Sequence, residues 1–500
     1  MKNIFLSLKV FLGIFLIVFT MACQQQESVT PYYQVIPEEV DGVVAVKVNR
    51  ILEKAGGDEN IISFLALFQK QLDQKILQQL QEILKNGPEY GLNLSENLYV
   101  FSEAAEGQIG IVAKVSEAAR TEKALKNLGL TIGTDAKGYR HAVLDKRLVC
   151  YFNESVLVCV TTLKGTADIE NYAVTLMNLP AEKSLSQKEG FVKLRSSADD
   201  ISFLKKNQFP GEDYMLSFSE IDVAKVDLLG GINFENGLVK AYYSYFSSDR
   251  ATADLLAKGY AFLRKEKKNL SDLYPASTLF YFATNLNGPQ LAKEIEERDF
   301  PELRQNKIAI QQFLSALNGE CALGYLNISP MGIPSSLLYA EVDNDYPLEY
   351  MIQFVQKEFG NTVQVRKTGN SAYECKVIML NMDIYAGIKD GLLYITNDNS
   401  AYRNIGKKVA DPLHRSPFFT HLTHSYIGAF MNVTALLQSP IVQLGLSQWK
   451  QGVGALILQF LSECSYLELY QESPEKTVLN ISLQNQGQNS LKTLLEAARK

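Results

Sequence analysis

Three of the four histidines in this 500-residue chain, His414, His421 and His424, fall in one short stretch. Neutral imidazoles are good ligands for transition metals. His421 and His424 stand three apart in Phe418-Phe419-Thr420-His421-Leu422-Thr423-His424 and would share a face if that stretch is helical. His414 could approach through the bend between Pro412 and Pro417, with Asp411 close in sequence. No carboxylate or cysteine completes a familiar metal-binding spacing. Solvated or hydrogen-bonded histidines on a connecting segment are the plainer expectation.

The cysteines suggest two kinds of chemistry. Cys150 and Cys159 flank Tyr151-Phe152-Asn153-Glu154-Ser155-Val156-Leu157-Val158, and a two-residue loop at Glu154-Ser155 would set them directly opposite each other. A bridge there would contribute roughly 2–3 kcal/mol through loop entropy. The alternative is two buried thiols acting as small hydrophobes. The other internal cysteines are Cys321, Cys375 and Cys464, so the five cannot all pair within one chain.

Cys23 is a different case. Lys2 and Lys9 precede the apolar run Val10–Phe19, and Thr20-Met21-Ala22-Cys23 follows. A charged start, a short apolar core and a small residue before the cut define a secretory signal. The small residue before a cysteine makes it a lipobox, so Cys23 is expected to carry acyl chains such as palmitate. Several chains anchor stably where one holds marginally, at about 0.8 kcal/mol per methylene. An uncleaved span would need about 20 apolar residues, more than the uninterrupted run supplies. Gln24 follows Cys23 in place of the aspartate that commonly signals inner-membrane retention, which favours the outer membrane, on either its periplasmic or its surface face. Residues 1–22 are thus expected to be signal and 23–31 a polar tether.

No Gly-x-Ser-x-Gly elbow, His-Glu-x-x-His pair, Walker loop or Cys-x-x-Cys occurs in the sequence. Gly452-Val453-Gly454 lacks the third glycine and the strand context of a dinucleotide fingerprint and reads as a helix-boundary turn. Tyr242, Tyr243 and Tyr245 could stack a ligand, but a strand packed on one face or both gives the same pattern. The single tryptophan, Trp449, weakens a glycan-binding reading. The Gln-rich stretch Gln69–Gln81 reads as a solvated helix face. Net charge is −6, and losing Lys2 and Lys9 with the signal takes it to −8. The densest basic run, Arg264-Lys265-Glu266-Lys267-Lys268, is interrupted by an acid, so nucleic-acid binding is not expected.

The elements that would hold such residues read as one α+β module written twice, near 32–270 and 271–500, with mostly antiparallel sheet and packed helices. Val35-Ile36-Pro37 through Asn49 and Leu273-Tyr274-Pro275 through Asn287 each give a residue before proline, a turn and a strand ending in asparagine. A helix follows each opening strand. The first has an apolar stripe at Ile61, Leu65, Phe68, Leu72, Ile76, Leu80 and Ile83; the second is the shorter Ile308–Leu317. Next come strands 110–116 and 337–343, helices 117–128 and 346–359, and hairpins, the second turning at Asp390-Gly391. Ser116 and Asp343 or Asp345 are expected to cap those helices. Hairpins 232–246 and 466–483, with helices 251–263 and 491–498, close the two copies. Counting outward from the turns, Ala386 and Ile395 occupy the places of Cys150 and Cys159.

Asn86-Gly87-Pro88-Glu89-Tyr90-Gly91-Leu92 through Phe101, Val112-Ala113-Lys114-Val115 and the opening strand resemble a family of Bacteroidetes lipoproteins catalogued only as a domain of unknown function. The resemblance covers most of the mature chain. It implies an envelope lipoprotein with a duplicated α+β fold and supplies no catalytic residues. The expectation is therefore an outer-membrane-tethered, non-catalytic binding or scaffolding protein of the cell envelope, without a cofactor. Its partners would be the membrane, through the N-terminal lipid, and an envelope protein or glycan. Two alternatives stand beside it: a hydrolase or metal-dependent enzyme with a site assembled from distant residues, and capture of glycan or protein at the cell surface.

Overall fold

The computed structural model describes residues 31–57, 59–61, 90–103, 107–127, 129–135, 137–144, 148–162, 168–206, 221–267, 270–297, 307–416, 419, 421–449 and 453–498. Cys23, the signal and most of the tether lie outside these residues, as does the Gln69–Gln81 stretch. The chain forms two compact units. One comprises Met1–Glu212, Asp222–Ala253 and Asn485–Lys500; the other comprises Asp213–Ile221 and Asp254–Gln484.

The first unit is built on β1 (Gly42–Val46), β2 (Leu98–Glu103), β3 (Gln108–Lys114), β4 (Thr131–Thr134), β5 (Arg140–Leu144), β6 (Leu148–Phe152), β7 (Val156–Thr162), β8 (Ile201–Lys205), β9 (Asp227–Glu235) and β10 (Leu238–Phe246). All pairings are antiparallel, in the order β4-β5-β6-β7-β3-β2-β1-β8-β9-β10. Central strands are apolar on both sides because both faces are covered. In β6, Leu148, Cys150 and Phe152 face one core while Val149 and Tyr151 face the other. Helices α1 (Val48–Lys54), α2 (Ala118–Asn127), α3 (Ile169–Met177) and α4 (Glu189–Ser196) supply the cover, with α3 capped by Asp168 accepting from the Asn171 amide at 3.0 Å. The C-terminal helix Ser490–Ala497 completes this unit. Leu495 is part of the α1 core, and Asn489 Nδ2 donates to the Phe234 carbonyl at 2.9 Å.

Helix α5 (Arg250–Lys258) carries the chain into the second unit. It is shorter than the helix expected over 251–263. Gly259, at φ +66°, ends it, and Leu263–Arg264 forms a short strand, β11, paired with Leu286 and Asn285. The second unit continues with β12 (Phe280–Asn287), α6 (Gly288–Glu297), α7 (Lys307–Ala316), β13 (Leu317–Ile328), β14 (Pro334–Val342), α8 (Tyr346–Phe359), β15 (Val363–Gly369), β16 (Ala372–Val377), β17 (Met382–Lys389), β18 (Leu392–Thr396), β19 (Ile427–Asn432), β20 (Cys464–Ser473) and β21 (Lys476–Leu483). Its order is β15-β16-β17-β18-β14-β13-β12-β19-β20-β21, again antiparallel throughout. Strand for strand, this is the order of the first unit. One face of the sheet packs Tyr274, Tyr281, Tyr339, Phe419 and Phe430 edge to face at 5.0–5.8 Å, with the buried Tyr274 hydroxyl donating to the Ala322 and Leu337 carbonyls. The other face lies under α7 and α8. The chain is α+β, with mostly antiparallel sheet.

Candidate functional site

The histidines are not brought to one place. Residues 421–424 form turns rather than a helix, and His424 sits at φ +86°, so no helical face is shared. His414 Nδ1 lies 2.6 Å from Asp272, and His421 Nδ1 lies 3.3 Å from Glu468 and stacks on Tyr470. Among the described residues, no three His, Cys, Asp or Glu side chains gather in a way that could hold a metal.

The Glu154-Ser155 turn does set Cys150 opposite Cys159, in the register the sequence implies. Both are buried free thiols in the structure. Cys150 is pushed well above the usual thiol range, first by its hydrogen bond with Cys159 and then by burial. Tyr243 and Tyr245 share a face and meet edge to face at 5.8 Å, as alternation requires.

The densest buried charge in the first unit is structural. Fully buried Asp200 meets Arg50 at 3.0 Å and Lys54 at 2.6 Å, and accepts from the Phe234 amide at 2.8 Å. Its neighbour Asp199 accepts from Ser197, Asn233 and Tyr242. These contacts tie the start of β8 to α1, β9 and β10.

An open site lies in the second unit, between its sheet and two helices. It is a cavity of about 710 Å³, within the roughly 300–1,000 Å³ of small-molecule pockets. Its floor is Val363 of β15, Cys375 and Val377 of β16, Ile384 and Ala386 of β17, and Ile395 of β18. Antiparallel alternation sends these side chains to one face. The Asp390-Gly391 turn, with φ of +54° and +74°, fixes the β17–β18 register. The walls are Ile310, Phe313 and Leu314 from α7, with Leu348, Met351, Ile352 and Val355 from α8. The last four follow three-and-four spacing and form the stripe that faces the sheet. Tyr350 and Phe354 make a second row of α8, and Tyr350 stacks obliquely on Phe313 at 5.9 Å. Asp345 does precede α8, but its carboxylate takes the Ser371 hydroxyl instead of a helix amide; Asn344 Oδ1 accepts from the Tyr346 amide at 3.0 Å.

Among the described residues, none in this lining is charged. The described lining residues include the Tyr350 phenol and the Cys375 thiol, which burial first and Glu374 second hold above the ordinary thiol range, in its protonated form. The site can bind an apolar body.

The matching face of the first unit is closed. Leu148, Cys150, Phe152, Leu157 and Cys159 are at most 6 % exposed. Their counterparts by turn and strand order are Ile384, Ala386, Ile388, Leu393 and Ile395. There, Ile384, Ile388 and Ile395 are only partly buried, and Ile384 and Ile395 line the cavity. The two units share a strand plan, yet one has a filled core where the other has room for a ligand.

Residues 32–491 match the model of the family described as Domain of unknown function (DUF4836). The chain belongs to this family. No curated protein matches the chain. Among solved structures, crystal forms IV and III of TP0453 are similar at 12% and 11% identity, with TM-scores of 0.29 and 0.28. They cover 44% and 48% of this chain and 81% and 91% of their own. Likeness at that level carries no functional argument. Family membership leaves function to be argued from the cavity.

This site lies outside the candidates that the sequence patterns single out. Its signals were present: α8 carries Tyr350, Phe354 and Phe359 beyond one buried stripe, and Ile378-Met379-Leu380 is an apolar run inside a turn.

Proposed function

We propose that this protein is an envelope lipoprotein, tethered to the outer membrane through Cys23, that binds an apolar ligand without transforming it. The observation that carries the binding half is the 710 Å³ cavity, whose described lining residues are uncharged and almost all hydrocarbon. If each methylene takes about the ~30 Å³ of a liquid water molecule, the space suits roughly one long acyl chain. The tether is supported by the signal and lipobox ending at Cys23. We also infer that the two units arose by duplication of one module, supported by their common strand order, and that the second copy was opened for a ligand.

Two experiments test the reading. Titration of a fluorescent fatty-acid analogue should saturate at one per chain. It should weaken at least tenfold in Ala386→Phe, which fills the floor from a position only 6 % exposed. Equal binding by both proteins would sink the pocket as the site. For the tether, wild type should fractionate with outer membrane and Cys23→Ala should be released. Membrane association unchanged in Cys23→Ala would remove the lipid anchor.

A further inference from the structure

The cavity reaches the surface at one end of the second unit, and that end is unusually apolar. Phe354 and Phe359, which line the cavity, are 49 % and 48 % exposed. Beside them the turn between β16 and β17 presents Ile378 at 47 %, Met379 at 86 % and Leu380 at 49 % exposed. Hydrogen bonds fasten the two parts together: the Thr362 amide donates to Phe359 at 2.8 Å and the Ile378 amide donates to Thr362 at 3.0 Å. The turn closes on itself through the Asn381 amide to Ile378 at 3.2 Å, with Asn381 at φ +45°. Three consecutive apolar side chains thus project from a turn that the Asn381–Ile378 bond closes and the Ile378–Thr362 bond fastens to the segment after Phe359.

We propose that this end of the second unit inserts into a phospholipid leaflet, so that the cavity exchanges an acyl chain directly with the bilayer. The acyl ligand rests on the function proposed above; the insertion rests on the tip. The occupant is argued from continuity with the cavity. Each methylene favours apolar surroundings over water by about fourfold, so an acyl chain crossing an aqueous gap is strongly disfavoured. A mouth lined by Phe354 and Phe359 and flanked by Ile378, Met379 and Leu380 removes that gap when it is pressed into a leaflet. Charge does not supply the attraction. Lys357 and Lys376 near the mouth are matched by Glu358 and Asp383, with Lys376 directly across from Asp383 on β17. Apolar burial is the driving force, and binding is expected to withstand salt, unlike a polybasic surface.

The test uses the chain from Gln24 onward, which holds every described residue and lacks the acylated cysteine. It is floated with phosphatidylcholine vesicles at low and at high salt. Wild type should float at both. Met379→Glu should bind vesicles at least tenfold more weakly while binding the soluble fluorescent fatty acid as before and melting at the wild-type temperature, since Met379 touches solvent over most of its surface. Ala386→Phe should float like wild type and lose the fatty acid. Vesicle binding unchanged in Met379→Glu, or abolished by salt in wild type, overturns the insertion. A dimer in sedimentation velocity that Met379→Glu converts to monomer also overturns it, making the tip an interface between two copies. Failure of the fatty-acid arm alone would strike the ligand and leave the insertion standing.

Discussion

Glu266 is the ionisable group in the second unit whose removal should strengthen the fold. It lies at 6 % exposure just after β11, with its amide donating to the Ser425 carbonyl at 2.9 Å. Burial, and then the negative charge of Glu320, push its carboxyl from 4.5 up to about 8. Glu320 is itself buried and spends its oxygens on the Lys267 and Leu270 amides, pinning the segment that carries Glu266. The sign follows from the raised value. Between pH 4.5 and 8 the native chain holds a proton that the unfolded chain has released. Stability is therefore full below about 4.5 and is lost as pH rises towards 8. At about 1.4 kcal/mol per pH unit, the loss accumulated by pH 7 is about 3 kcal/mol. Glu266→Gln, neutral throughout, removes this dependence. Urea unfolding at pH 5, 6, 7 and 8, with both proteins in parallel, should show the variant's advantage growing by about 1 kcal/mol per pH unit. An advantage that stays constant across that range, or shrinks as pH rises, would refute the assignment of a neutral, buried carboxyl.

Other perturbations follow from contacts in the two units. Asp200→Asn should cost about 2 kcal/mol in urea unfolding, below the roughly 3–5 of a fully enclosed pair because Arg50 keeps 41 % of its side-chain surface; a neutral result would contradict a structural role for the cluster. Gly91→Ala should cost about 2 kcal/mol or more, since Gly91 sits at φ +78° and a methyl would lie 2.1 Å from the Glu117 carbonyl; a variant as stable as wild type would show that this turn can move. Cys150 and Cys159 should resist iodoacetamide at pH 8 until the chain is unfolded, because both are at most 2 % exposed. Rapid labelling of the native protein would contradict their burial. Labelling of the unfolded chain only after reduction would show a bridge.

Local rules reached far into this fold. The turns at Glu154-Ser155 and Asp390-Gly391 set their registers residue by residue, and the helix expected at 346–359 is α8 at the same bounds. Where local rules stopped, a tertiary partner decided. Leu263 fits a helix by spacing but pairs with Leu286, because Gly259 ends α5 first. His421 and His424 have helical spacing but stand on turns, with His421 drawn to Glu468 of β20. The cavity was hidden for a related reason. Leu148, Cys150 and Cys159 in one unit and Ile384, Ala386 and Ile395 in the other write the same alternating pattern, whether the space above them is filled or open. Empty volume depends on how far α7 and α8 stand from the sheet, and no single segment encodes that distance.

The occupant of the cavity is the most direct test of ligand binding. A photoactivatable fatty acid, equilibrated with the protein, crosslinked and mapped by peptide mass spectrometry, would read the contact surface itself. Adducts are expected on α7 near Phe313 and Leu314, on α8 between Leu348 and Phe359, and on β16–β17 between Cys375 and Ala386, all suppressed in Ala386→Phe. Adducts spread over other surfaces of the chain, or unchanged in that variant, would contradict binding in the cavity.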